Sequence, residues 1–356
     1  MNKYLARNLL KDNCLPGQFN IFSLTRRDGN LRRLLLITVI IFISMSVLSP
    51  KLFLTLRNFT SMSFQFPELG ILAMAMMVTM LTGGIDLSAV GIANLSGIIA
   101  ALILTSDSVT GAFGNSAIAT IILLAIIVSA IMGVVCGLLN GLCISKIGIT
   151  PILATLGSMQ IFTGIAIVIT RGSAIYGFPD QFSFVGNGNI WIFPMPLIIF
   201  VILSALFAIM LNKTTFGRKL YMMGSNPVAA VFSGINNTQM LIRTYILSGF
   251  LSAMAGIVMI ARTNSAKADY GTSYVLQAIL VVVLGGVNPS GGFGTVSGLV
   301  LAMLCLQFLS SGFNMLHFSN FFKEFVWGAV LVAVMVLNYY SNTGRSSFRR
   351  ITKGLK

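Results

Sequence analysis

The sequence predicts an all-α fold, a polytopic bundle of about ten transmembrane helices. Three observations predict it. Of 356 residues, 56% are hydrophobic and 9% charged, whereas soluble domains carry roughly 25% charged residues. A chain this apolar, with a mean hydropathy of +0.91, cannot cover a water-facing surface. The apolar residues gather into runs that approach the ~20 residues a helix needs to cross a bilayer. The cations cluster at the ends of those runs, as topology signals do.

The runs fall at 34–50, 67–84, 87–105, 117–140, 150–170, 191–211, 243–262, 272–287, 295–316 and 322–340. The third and eighth are polar or glycine-broken at one end, so the count ranges from nine to eleven. Ten spans put both termini on one side. With the ends cytoplasmic, 17 of the 23 Lys and Arg face the cytoplasm, against Lys51, Arg57, Arg171, Arg262, Lys267 and Lys323 opposite. The positive-inside bias therefore selects cytoplasmic termini. The chain divides into an amino-terminal cytoplasmic arm (1–33), a transmembrane domain (34–340) and a basic cytoplasmic tail (341–356). The first apolar run starts too late for a secretory signal, so the arm is read as mature protein.

The net charge of +15 does not indicate nucleic-acid binding, because the cations sit at span ends and not in one patch. Cys14, Cys136, Cys143 and Cys305 show no CxxC or metal-like spacing and read as small apolar fillers. His317 is the single histidine, so zinc chemistry lacks ligands and no metal site is predicted.

One cytoplasmic loop is long, 212–242. Within it Asn226 and Pro227 read as an N-cap and first helical residue; Ala229, Ala230 and Val231 continue the turn, and Gly234 ends it. A short helix lying outside the membrane is either an amphipathic linker or a docking element for a cytoplasmic partner. In the fourth run Gly133, Gly137 and Gly141 form GxxxGxxxG, which lets helices approach closely in lipid. Asn140 beside them either bonds across the bundle or faces a cavity.

Two segments echo each other: "GGIDLSAVGIANLSG" from Gly83 and "GGVNPSGGFGTVSG" from Gly285. Each follows one apolar run and opens another. Transporters are commonly built from weakly similar halves whose sites lie near Gly- or Pro-interrupted segments. These two lie six spans apart and face the same way, as a parallel repeat would; a chance match of two glycine-rich turns is the other reading. Neither is a Walker loop, since no lysine follows the last glycine. At the cytoplasmic border Asp86 can stay hydrated or cap the next helix; a direct part in a gate or solute path is the alternative.

Four stretches taken in order resemble one family: "LTGGIDLS" (81–88), "GLLNGLCISKIGITPILATLGSMQIFTGIA" (137–166), "FGRKLYMMGSNPVAAVFSGI" (216–235) and "LGGVNPSGGFGTVSG" (284–298). The chain resembles the permease subunits of bacterial ATP-binding-cassette (ABC) importers for ribose, xylose, arabinose and galactose, over about residues 60–340. The resemblance implies a type II importer permease in the bacterial inner membrane, surrounded by lipid. It implies pairing with a second copy or a similar permease, two cytoplasmic ATPase domains and a periplasmic binding protein. No cofactor is expected in this chain, ATP being bound by the partner. The 216–235 stretch would carry the coupling helix, with Gly217, Arg218, Asn226, Pro227, Ala229, Ala230 and Gly234 matching the family motif. Departures bear on substrate: Ser88 is followed by Ala89-Val90-Gly91 where the family has Val-Gly-Ser. Val275 and Gln277 stand where many members carry acids.

Three classes of function compete. An importer permease carries out no covalent chemistry and needs a weakly polar path, for which Ser88, Asn94, Asn140, Gln160, Gln277, Asn288 and Asn314 are candidates beside Asp86. Each can equally serve as a hydrogen bond between helices. An ion-coupled secondary transporter needs buried ionisable relays, but none of the eight acids is expected mid-span. A membrane enzyme needs a catalytic cluster, and none is seen.

Overall fold

The computed structural model describes residues 29–106, 118–191 and 193–353. The expected arm up to residue 28, Cys14, Asp12, Asp28 and Asp107, and the last three residues of the tail lie outside them. Twelve helices carry the fold among the described residues. They are α1 (Gly29–Leu48), α2 (Leu56–Met80), α3 (Ala89–Leu104), α4 (Ile118–Leu142), α5 (Pro151–Thr170) and α6 (Met195–Lys213), followed by α7 (Thr215–Ser225), α8 (Pro227–Phe232), α9 (Asn237–Thr263), α10 (Tyr274–Leu284), α11 (Val296–Met315) and α12 (Asn320–Lys353). A π turn, Cys143–Ile147, extends α4, and short helices span Pro50–Phe53 and Asp180–Asn187. Two antiparallel strand pairs, 175–176 with 265–266 and 189–190 with 193–194, fasten the connections at one end.

Among the described residues, seven helices (α1, α2, α4, α5, α6, α9 and α11) are long and apolar enough to cross a membrane. The expectation of ten is therefore not established. At 1.5 Å per residue, the 16 residues of α3 reach about 24 Å and the 11 of α10 about 17 Å. Both fall short of a hydrocarbon core of ~30 Å. These are the two runs that glycines interrupt. In the other direction, α2 starts at Leu56, well before the expected 67, and carries Pro67 in its interior. The polar residues before Pro67 read as a loop, yet their hydroxyls fold back onto the helix: Thr60 and Ser63 donate to the carbonyls of Leu56 and Phe59. Thr55 caps the start by accepting from the Asn58 N–H at 3.3 Å.

Helices α2 and α9 form the centre. Every residue of α2 from Phe66 to Met80 is buried, as is nearly all of α9 between Leu251 and Ala261. By contrast α5 buries only Thr155, Phe162 and Ala166, and leaves Leu153, Ile161 and Val168 exposed, as a lipid-facing helix does. Helices α4 and α9 pack closely. A methyl group on Gly133 would lie 2.6 Å from the Ala253 side chain, and one on Gly141 2.9 Å from Ile242 Cα. The three glycines of the GxxxGxxxG stretch thus all face α9.

The two echoing segments fold alike where each closes a helix. At the end of α2 the Gly84 N–H donates to Thr79 O (3.2 Å); at the end of α10 the Val287 N–H donates to Val282 O (3.2 Å). Gly83 and Gly286 each take φ +84°. Both are six-to-one helix stops that need a left-handed residue, which glycine supplies without a Cβ clash. The structural match pairs Gly83 with Gly286, one place away from the sequence alignment.

Candidate coupling site and solute path

Segment 212–242 folds as two helices where the sequence indicated one. Thr214 caps α7 by accepting from the Gly217 N–H (3.3 Å), and Asn226 caps α8 by accepting from the N–H groups of Val228 and Ala229, both at 3.1 Å. Beyond α8, Gly234 turns the chain at φ +77°, and the Ile235 N–H returns to Ala230 O at 3.0 Å. The missed α7 is amphipathic, burying Gly217, Leu220, Met223 and Gly224 and exposing Arg218. On α8 only Ala230 is buried; Asn226, Pro227 and Ala229 are exposed, as are the apolar side chains of Val228, Val231 and Phe232. A six-residue helix with three apolar side chains in the open is shaped to meet another surface.

The base of this segment rests on both reversal loops. A methyl group on Gly224 would run into Leu81 O and lie 2.6 Å from the Gly292 N–H, which itself donates to Leu81 O at 3.0 Å. Tyr221 Oη donates to Gly294 O at 2.8 Å. Asn288, half-buried, shapes the second loop, its side chain accepting from the Ser290 N–H at 3.1 Å. Displacing α7 therefore strains the ends of α2 and α10 together.

Asp86, in the first reversal loop, is fully buried, which removes hydration from the roles the sequence left open for it, beside helix capping and a part in a gate or path. Its Oδ1 accepts from the Ser88 N–H (3.0 Å) and Ser88 Oγ (2.6 Å), and its Oδ2 from Ser248 Oγ of α9 (2.7 Å). Asn140 of α4 donates to Ser88 Oγ at 2.7 Å. Burial pushes the Asp86 carboxyl above its ordinary range, against the pull of its Ser88 and Ser248 donors. Asp86, Ser88 and Asn140 thus form one node that ties the loop to α4 and α9.

The other candidates separate. Asn94 joins α3 to the 264–273 loop by donating to Ala268 O (2.9 Å) and Tyr270 O (2.8 Å). Gln160 is exposed on α5, away from the node. Gln277 and Asn314 line a cavity of about 350 Å³ between α2, α10, α11 and α12, together with Gln65, Gln307, Ser310 and Trp327. It lies toward the ends where α2, α10 and α12 begin and α11 finishes, opposite segment 212–242.

Beside the cavity is a cluster that sequence reasoning missed. Glu68 lies midway along α2 and is 1% exposed, so the expectation that no acid falls mid-span is wrong. Arg262, at the end of α9, grips it with Nε to Oε2 (2.9 Å) and Nη2 to Oε1 (2.8 Å), and Tyr274 Oη donates to Oε1 at 2.5 Å. A buried carboxylate survives when paired and hydrogen-bonded in this way. The signal was present: Glu68 is the lone charge of one apolar run, and Arg262 stands at the end of another. The start of α2 was placed at 67, which put Glu68 at a span end.

The profile of the family described as "Branched-chain amino acid transport system / permease component" matches residues 58–335. The chain belongs to this permease family. It is 36% identical to the ribose import permease protein RbsC of Bacillus subtilis (strain 168), over 84% of this chain and 89% of that protein. It is 35% identical to RbsC of Escherichia coli (strain K12), over 85% and 92%. The autoinducer 2 import system permease protein LsrD of E. coli (strain SMS-3-5 / SECEC) is 31% identical, over 84% and 88%. No solved structure matches the permease. Membership and the apolar helices together make it a multi-pass membrane transport protein, and these relatives are permeases, not enzymes.

Proposed function

We propose that the chain is the transmembrane permease subunit of an ATP-binding-cassette importer. It forms the path for a sugar or sugar-like solute, received from a periplasmic binding protein and driven by a cytoplasmic ATPase. One observation carries the reading: α8 presents Val228, Val231 and Phe232 outward, while the adjoining α7 is locked to the loops that follow α2 and α10 through Gly224 and Tyr221. A push on α8 by an ATPase would reach the loops that hold Asp86 and Asn288. Gly217, Arg218, Asn226, Pro227, Ala229, Ala230 and Gly234 make up this coupling element.

The names of the relatives, two of them import proteins for ribose and one for autoinducer 2, support the solute class. The remaining parts of the proposal follow the positive-inside count and the family resemblance. The arm (1–33), segment 212–242 and tail (341–356) are cytoplasmic, the transmembrane domain is 34–340, and a second copy or a similar permease completes the complex. ATP is held by the ATPase and not by this chain. Glu68 does not revive an ion-coupled reading, because Arg262 and Tyr274 occupy both of its oxygens, so it is a tie between helices.

Reconstitution in vesicles tests the function. Uptake of labelled ribose should require the ATPase, ATP and the binding protein together. Uptake by this chain alone, driven by a proton or sodium gradient, would sink the proposal.

A further inference from the structure

We propose that the cavity between α2, α10, α11 and α12 is a solute-binding site for a small neutral polyhydroxylated molecule, with Gln277 and Gln307 as its recognising residues. The inference rests on the importer reading and adds a place and a chemistry to it. The cavity measures about 350 Å³, near the lower bound of roughly 300 Å³ for ligand pockets. It would hold roughly a dozen waters at ~30 Å³ each, enough for a monosaccharide with a few waters.

Its lining is chemically selective. Gln65, Gln277, Gln307 and Asn314 contribute four amides, each with two donors and an acceptor. Ser310 adds a hydroxyl, and Trp327, 4% exposed, gives a flat apolar wall with one N–H. Alternating donors and acceptors beside an apolar plane match a ring that bears hydroxyls on its edge and C–H bonds on its face. Gln307 is 8% exposed and sits deep, one turn inward from Ser310 on α11. Among the described residues, the side chains of Gln277 and Gln307 have no hydrogen-bond partner, although both line the cavity.

The charges point the same way. Tyr274 borders the cavity, but its hydroxyl is committed to Glu68, which Arg262 neutralises. Lys323 is held by Asn314 and, at 3.1 Å, by Asn320, and its neighbour Glu324 is exposed. One cation and one anion at the rim sum to no net charge there. An amino-acid zwitterion would need Lys323 released from Asn314 and Asn320 to meet its carboxylate.

The test uses the complete importer in vesicles, with ATP-driven uptake of radiolabelled ribose, xylose and ribitol, and leucine as the zwitterionic comparison. Gln277→Leu combined with Gln307→Leu should lower sugar uptake by about tenfold, the loss of one or two net hydrogen bonds, with ATP hydrolysis and assembly retained. Gly157→Ala on exposed α5, with open space at that Cβ, should leave uptake unchanged. In an otherwise native chain, Ser310→Cys should react with a small methanethiosulfonate reagent, read by mass spectrometry of that peptide, and a transported sugar should slow the reaction several-fold. Uptake by the double variant within about twofold of wild type overturns the site. So does labelling of Cys at 310 that a transported sugar leaves unchanged. A wild-type importer that carries leucine and none of the three polyhydroxylated solutes overturns the solute class in the importer reading itself, a different failure from that of the site.

Discussion

Replacing Arg262 with methionine tests how this bundle keeps an acid in its interior. Glu68 accepts two bonds from Arg262, at 2.9 and 2.8 Å, and one from Tyr274 at 2.5 Å. Hydrogen bonds to charged groups contribute about 1.5–3 kcal/mol each, and removing one partner of a buried ion pair costs about 3–5 kcal/mol because the other charge is stranded. The Arg262 side chain is 26% exposed while Glu68 is 1% exposed, so the arginine gives up less hydration than the acid does. Because the charge left behind by Arg262→Met is the more deeply buried of the two, its cost lies toward the upper bound, at about 5 kcal/mol. Glu68→Gln keeps an acceptor for Arg262 and Tyr274 and should cost less, about 1–2 kcal/mol. Combining Glu68→Leu with Arg262→Met removes both charges, and apolar replacement of a whole buried pair is often close to neutral. The double variant should therefore be more stable than Arg262→Met alone. The assay is the fraction of detergent-purified protein that stays monodisperse on size-exclusion after stepwise heating. If Arg262→Met is no less stable than the double variant, the stranded charge is not the source of the cost and the reasoning fails.

Two further outcomes follow from the packing. Gly137→Val puts a branched side chain against the Tyr245 backbone, whose carbonyl carbon would lie 3.0 Å from a Cβ. Overpacking of about 1–3 kcal/mol should cut the yield of folded protein, whereas Gly157→Ala, with open space at that Cβ, should leave the yield intact; equal yields would remove the close α4–α9 contact as a determinant. Tyr221→Phe deletes only the bond to Gly294 O, about 1 kcal/mol. Transport per ATP hydrolysed should fall with the complex still assembled, and an unchanged ratio would show that α7 does not carry the coupling motion.

Several elements were legible because local chemistry decides them. The Asn226-Pro227 start of α8 needs only a side-chain acceptor and a residue with no N–H to lose. The glycine ladder in α4 needs only its four-residue spacing to form one face. The extension of α2 back to Leu56 was not legible, since Thr60 and Ser63 look like loop residues until their hydroxyls are seen bonding one turn back. Helix α7 escaped for a related reason: its apolar residues are few and spread by Arg218 and Lys219, and its buried face exists only because the two reversal loops lie beneath it.

The sequence by itself determined the membrane class, the glycine-interrupted segments, the Asn226-Pro227 helix start and the family, because hydropathy, cap residues and motif order are properties of neighbours along the chain. Tertiary structure alone decided where polar groups meet across it. Asp86 reaches Ser248 and Glu68 reaches Arg262 over separations of 162 and 194 residues. The cavity drew Gln277 and Asn314 together while leaving Gln160 outside. In an apolar interior a polar side chain takes its role from the partner that satisfies it, and no local pattern in the sequence records that partner.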